Sequence, residues 1–148
     1  MIAFNLESGA DVAEEIAKSV SRHVSEMKDA NDYGAPSIDW EYYLQMSTAG
    51  LCKAVTMRDS GRLVGYAILM LSNNPRHKER IEAMCDGLFI EKEYRGKNTA
   101  EFMSALKKYT AQSGVSEVNI LVGEPSVCRF LAANGFMETK KLWSLKNE

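Results

Sequence analysis

The 148-residue chain is 45% apolar and 26% charged, which excludes a disordered polymer and leaves enough for one domain, residues 1–148, with a real hydrophobic core. Its formal net charge of −2 gives no global attraction to nucleic acid or to an anionic membrane. No apolar run approaches the roughly 18 residues of a membrane span, and Met1 to Glu7 carries no basic leader, so neither export nor membrane insertion is expected.

In chain order, Ile2, Phe4 and Leu6 alternate with polar residues and predict a half-buried strand over Met1 to Glu7. Ser8 or Asp11 can cap the helix that follows, in which Val12, Ile16, Val20, Val24 and Met27 recur at helical spacing, and Asn31-Asp32-Tyr33-Gly34 ends it. A shorter helix is expected from Ile38 to Thr48, with Ser37 as N-cap, Gly50 just past its end, and Trp40, Tyr43 and Leu44 as its apolar face. Leu51 to Arg58 and Arg62 to Leu71 are strands joined by the hairpin signal Asp59-Ser60-Gly61. The second is apolar almost throughout, as a central strand covered on both faces would be. A polar loop, Ser72 to Arg80, leads to a strand from Ile81 to Ile90.

The helix Glu101 to Gln112 turns Phe102, Met103, Leu106 and Tyr109 inward, and Gly114 stops it. Val115 to Val122 reads as a strand. Pro125 suits the first turn of another helix, which Asn134-Gly135 ends, and Phe136 to Leu145, containing Trp143, reads as a last, mostly polar strand. The order β-α-α-β-β-β-α-β-α-β is an α/β mixed-sheet plan.

The stretch Asp86 to Ala100 organises this plan, because an apolar strand runs into a basic turn that opens a helix. Amides at a helix start lack internal partners and lie at the positive end of its dipole, so they favour a phosphate. Arg95 and Lys97 add charge, Gly96 allows close approach, and Asn98 tolerates a left-handed backbone. An ordinary βα unit with solvated charges begins in the same way, so the pattern alone leaves both readings open.

The segment Ile90-Glu91-Lys92-Glu93-Tyr94-Arg95-Gly96-Lys97-Asn98-Thr99-Ala100 resembles the acyl-CoA pyrophosphate motif of the GNAT N-acetyltransferases, V-x-P-E-Y-R-G-x-G-x-G/A. Lys92 replaces the usual Pro and Asn98 the middle Gly. The order of elements resembles the family's too, except that its final seventh strand has no counterpart here. That vacancy leaves a place for a partner subunit, hence a homodimer.

The resemblance implies acetyl-CoA as co-substrate, no metal, and a primary amine as acceptor. Pantetheine would pair with the backbone of Leu88, Phe89 and Ile90, and the diphosphate would lie on Arg95, Gly96, Lys97, Asn98, Thr99 and Ala100. In the family the base is often a carboxylate on the fourth strand. Asp86 and Glu82 lie four and eight residues before Ile90, and the even spacing puts them on one face. Asp86 is the preferred base, expected to be buried enough to raise its pKa. The usual acid, a Tyr four residues before the Gly of Gly135-Phe136, is here Leu131, which leaves Tyr94, Tyr66, Cys128 or no group at all to protonate the thiolate.

Ser126-Val127-Cys128-Arg129-Phe130-Leu131 resembles small phage-type members of the family, with Arg129 placed to touch CoA phosphates or the acceptor. Asp29, Asp32, Asp39 and Glu41 make the acceptor side acidic and favour a cationic amine. Cys52, Cys85 and Cys128 are odd in number and far apart, so neither a disulfide framework nor a zinc knuckle is indicated, and a reducing cytoplasm fits. His23 and His77 are well separated, too little for a metal site or a Ser-His-Asp triad. The rival expectation is a non-catalytic member of the fold, a CoA-binding sensor or a phage structural or host-interaction module.

Overall fold

The computed structural model describes residues 1–26, 36–122 and 124–147. Five strands form one mixed sheet in the order β1 (Ile2–Ser8), β2 (Cys52–Asp59), β3 (Arg62–Asn74), β4 (His77–Ile90), β5 (Val115–Ile120). The first four are antiparallel neighbours, and β5 runs parallel to β4 after a helical crossover. The helices are α1 (Gly9–Ser25), α2 (Trp40–Thr48), α3 (Lys97–Gln112) and α4 (Pro125–Ala133).

Each face of the sheet buries its own apolar cluster. On one side Phe102, Met103 and Leu106 of α3 and Leu131 of α4 pack on Val55, Met57, Val64, Ala67, Leu69, Ala83, Cys85 and Ile90, with Ile2, Phe4 and Leu6 of β1 alongside. On the other, Val12 and Ile16 of α1 cover Ala54, Leu63, Tyr66 and Phe89, with Trp40 of α2 beside them. β3 is the middle strand and alternates between the two clusters, which is why its sequence is apolar on both faces.

Local chemistry sets several boundaries. Ser60 and Gly61 have φ of 51° and 90°, the pair of positive values that a two-residue hairpin demands. The second helix starts at Trp40 and not Ile38, because the Asp39 side chain and not Ser37 caps it, accepting the Tyr42 N–H at 3.0 Å. Its inward residues are Trp40, Tyr43 and Ser47, while Leu44 is exposed, contrary to the expected face. The polar run Ser72 to Arg80 is no loop: β3 and β4 continue pairing through Asn74↔His77, so solvated side chains ride on an overhanging hairpin. Backbone pairing needs no apolar face there.

Two further differences bear on function. α3 begins at Lys97, a full turn before Glu101, so the motif itself is the first helical turn. The expected strand from Phe136 to Leu145 is not formed: residues 137–147 are exposed without regular structure, and Trp143 is 89% exposed. β5 also stops at Ile120, leaving Leu121 and Val122 exposed. With Met137, Leu142, Trp143 and Leu145 as its apolar side chains, the segment 137–147 lacks the alternation that would bind it to an edge.

Candidate active site

β4 carries two irregularities in succession. Against β3 its register runs Leu69↔Cys85 and then Ile68↔Gly87, so Asp86 is the extra residue of a β-bulge. Against β5 its pairing ends at Cys85↔Ile120. From Asp86 to Ile90, β4 therefore has no strand beside it on that edge among the described residues. The Glu91 N–H bonds the Val64 carbonyl on β3 at 2.9 Å, so by alternation the backbone groups of Leu88 and Ile90 point to the open edge. Those of Phe89 are spent in the β3 ladder, which removes it from the expected trio of backbone partners. The Ile90 carbonyl already accepts from Arg95 Nε at 2.8 Å.

The turn after β4 is built around Gly96, whose φ of 93° and ψ of −122° only glycine adopts readily. The Gly96 N–H donates to Thr99 Oγ1 at 3.1 Å, and the Thr99 and Ala100 N–H groups go to the Gly96 carbonyl. The amides of Lys97 and Asn98 are left without a protein partner among the described residues. Lys97 is exposed and lies 3.7 Å from Glu101, while Asn98 is half-buried. Arg95 does not stand free: its Nη2 bonds Glu26 at the end of α1 at 2.5 Å, and its guanidinium lies over the Phe89 ring. Arg129 is exposed on α4 and makes no hydrogen bond or ion pair with any described residue.

Behind the turn, Glu91 is buried between Arg22 of α1 and Arg62 of β3, each at 3.1 Å. Tyr94 accepts from Arg62 at 3.2 Å and donates to Asp59 at 2.9 Å, where the N-terminal ammonium also binds. These bonds pin the turn to the β2–β3 hairpin and take Tyr94 away from the open edge.

Asp86 is exposed, which contradicts the expected burial; a bulge residue at a strand edge keeps its side chain in water. It accepts the hydroxyl of Tyr43 from α2. Burial, and then that bond, push the Tyr43 phenol up and hold it protonated. Glu82 lies farther along β4 and accepts from Asn74 at 2.6 Å. Leu131 is buried in the α3-side core, and Cys128 is exposed on α4.

By sequence Tyr43 reads as core and His23 carries no role, yet Tyr43 meets Asp86 and His23 stacks on Phe89, both at this end of β4. His23 Nδ1 lies 2.8 Å from the Tyr66 hydroxyl, and its ring stacks on Phe89 with centroids 5.1 Å apart. Burial pushes the imidazole pKa down and that of the Tyr66 phenol up. The signal was present: His23 follows Val20 by three, on the inward stripe of α1. Residues 27–35, with Asp29 and Asp32 of the expected acceptor wall, lie outside the described residues; Asp39 and Glu41 are exposed on α2. Among the described residues no group of three His, Cys, Asp or Glu side chains could hold a metal ion, and no helix is long and apolar enough to cross a membrane.

The sequence matches no protein-family model and no curated protein. Its fold, in contrast, is shared along the whole chain by solved acetyltransferases. An aminoglycoside acetyltransferase from an uncultured soil metagenomic sample, solved with sisomicin, superposes with a TM-score of 0.76 at 10% identity, covering 99% of this chain and 95% of that one. A ribosomal-protein-alanine N-acetyltransferase from Brucella melitensis gives 0.70 at 17%, covering 100% and 99%. A predicted acetyltransferase from Clostridium acetobutylicum, solved with acetyl-CoA, gives 0.72 at 12%, covering 99% and 96%.

Proposed function

For a chain with the GNAT fold, we propose an N-acetyltransferase that moves the acetyl group of acetyl-CoA onto a primary amine. One observation carries the reading: β5 leaves β4 at Cys85, so residues 86–90 run without it into a turn whose Lys97 and Asn98 amides have no partner among the described residues. An extended thiol arm can take the missing strand's place, and its diphosphate can take the amides.

In this reading pantetheine pairs with Leu88 and Ile90, and the diphosphate lies on the backbone from Gly96 to Ala100. Lys97 supplies charge directly, Arg95 does so on leaving Glu26, and Arg129 is free to reach a phosphate or the acceptor. Asp86 takes the ammonium proton, directly or through water, while Tyr43 fixes its carboxylate. The amine then attacks the thioester carbon, the C–N bond forms, the C–S bond breaks, and the second nitrogen proton leaves to water. With Leu131 in the core, the thiolate leaves unprotonated, which a thiol with a pKa near about 8.5 tolerates. The exposed carboxylates Asp39, Glu41 and Asp86 favour a cationic acceptor.

The second reading, a CoA-binding sensor or a phage structural or host-interaction module that keeps the fold without catalysis, is favoured by Leu131 and by Asn98 in place of a Gly. Thermal-shift titration with CoA and acetyl-CoA tests the common premise, since a bound ligand stabilises by RT ln(1 + [L]/Kd). We expect both to raise Tm, and no shift from either would end the acyl-CoA reading. Thiol release over a panel of amines then separates enzyme from sensor. Asp86→Asn should lower that release at least roughly ten-fold and keep the melting shift, as general-base catalysis is worth two or more decades; undiminished release would take Asp86 out of the mechanism.

A further inference from the structure

Tyr66 is 1% exposed, and its one hydrogen-bond partner among the described residues is His23 Nδ1. A buried hydroxyl hydrogen without an acceptor is costly, so the phenol donates, Nδ1 accepts, and the ring proton stands on Nε2. Burial disfavours the imidazolium, which would turn Nδ1 into a second donor facing that hydroxyl. The ring is held on three sides: stacked on Phe89, edge-on to Tyr66 at 5.6 Å, and with Cε1 3.5 Å from where a Cβ on Gly87 would lie. It thus sits over residues 87–89, where β4 has just lost β5. Nε2 has no partner among the described residues, and no described side-chain nitrogen or oxygen is both buried and unpaired, so Nε2 is not closed off from solvent. A fixed donor without an acceptor is what an electron-accepting carbonyl needs.

We propose that the His23 Nε2–H, oriented by the Tyr66 hydroxyl, donates a hydrogen bond to the thioester carbonyl oxygen of bound acyl-CoA. This rests on the acyl-CoA reading above. When the amine lone pair attacks the carbonyl carbon, the C=O electrons move onto the oxygen that His23 holds. They return to expel the thiolate, and the second nitrogen proton goes to water, Asp86 having taken the first. The imidazole proton stays on Nε2 throughout, so His23 is a donor and neither acid nor base. Tyr66 is a positioning residue.

The test compares binding of CoA, acetyl-CoA and S-ethyl-CoA, a thioether with CH2 in place of the carbonyl, by titration calorimetry. Wild type should bind acetyl-CoA roughly three- to ten-fold more tightly than S-ethyl-CoA, the size of one hydrogen bond. His23→Phe, which keeps the stack on Phe89, should bind the two alike, and His23→Gln, which keeps a donor, should restore part of the preference. CoA binding without that preference in wild type, or a preference that survives His23→Phe, overturns the role of His23 and leaves the acyl-CoA reading standing. Failure of all three ligands to bind wild type overturns that reading and this one together. Nitrogen NMR of the unliganded wild type, independent of any variant's folding, should find His23 protonated on Nε2 at neutral pH. Tyr66→Phe should populate the other tautomer, a change that lost packing alone would not produce. A wild-type ring protonated on Nδ1 would also overturn the proposal.

Discussion

Gly96 concentrates a backbone requirement in one residue. A Cβ there would meet no atom within 4 Å, so the cost of Gly96→Ala is conformational and not steric. Its φ of 93° lies where L side chains are strained, and we predict a loss of about 1–3 kcal/mol in urea unfolding, with weaker CoA binding as the turn relaxes. His23 sets a second residue-scale outcome. Its folded pKa is lowered from the ordinary 6.5 by burial, against an opposing pull from Glu26. Below 6.5 the unfolded chain binds the extra proton and the folded chain does not, so stability is full above that value and falls with pH until the folded pKa is passed. Denaturation midpoints should decline just below pH 6.5 in wild type and stay flatter there in His23→Phe.

At the scale of elements, Arg58 joins β2 to both β1 and α1: its guanidinium bonds Glu7 at 3.1 Å and Glu15 at 2.7 Å, and is mostly buried. The Arg58 hydrogen bond lowers the Glu15 pKa from 4.5, so this contribution is present above 4.5 and is lost as pH falls through the folded value. Arg58→Met should cost about 2 kcal/mol, discounted from a fully buried pair because Glu15 is part-exposed, and should flatten the acid limb of stability below pH 4.5. A wild-type slope in that variant would remove the pair as its cause. The elements that were legible in the sequence owe it to periodic burial: β1, α1 and α3 show their inward residues at the spacing their packing uses. The Asp86–Ala100 turn was legible because composition and position coincide. Long-range partners were not. Neither the bulge at Asp86, nor Arg95 meeting Glu26 sixty-nine residues away, nor His23 meeting Tyr66 leaves a local pattern, and the hairpin overhang of β3 and β4 hides behind solvated side chains.

For the molecule as a whole, the sheet divides its labour. One face is a continuous apolar core that includes Leu131, and the other brings Tyr43, Asp86, His23 and Tyr66 to the open end of β4. The far edge of the sheet, β5, pairs only with β4 among the described strands, and the chain beyond α4 runs exposed past residue 137. Of the two tryptophans, Trp40 is half-buried beside Tyr43 and Trp143 stands almost wholly in water. The chain therefore carries a built-in lamp on its loose end. Iodide should quench most of its emission, Trp143→Phe should abolish most of that quenching, and a second copy or other polypeptide that covered residues 137–147 would announce itself as a shift of that light toward the blue.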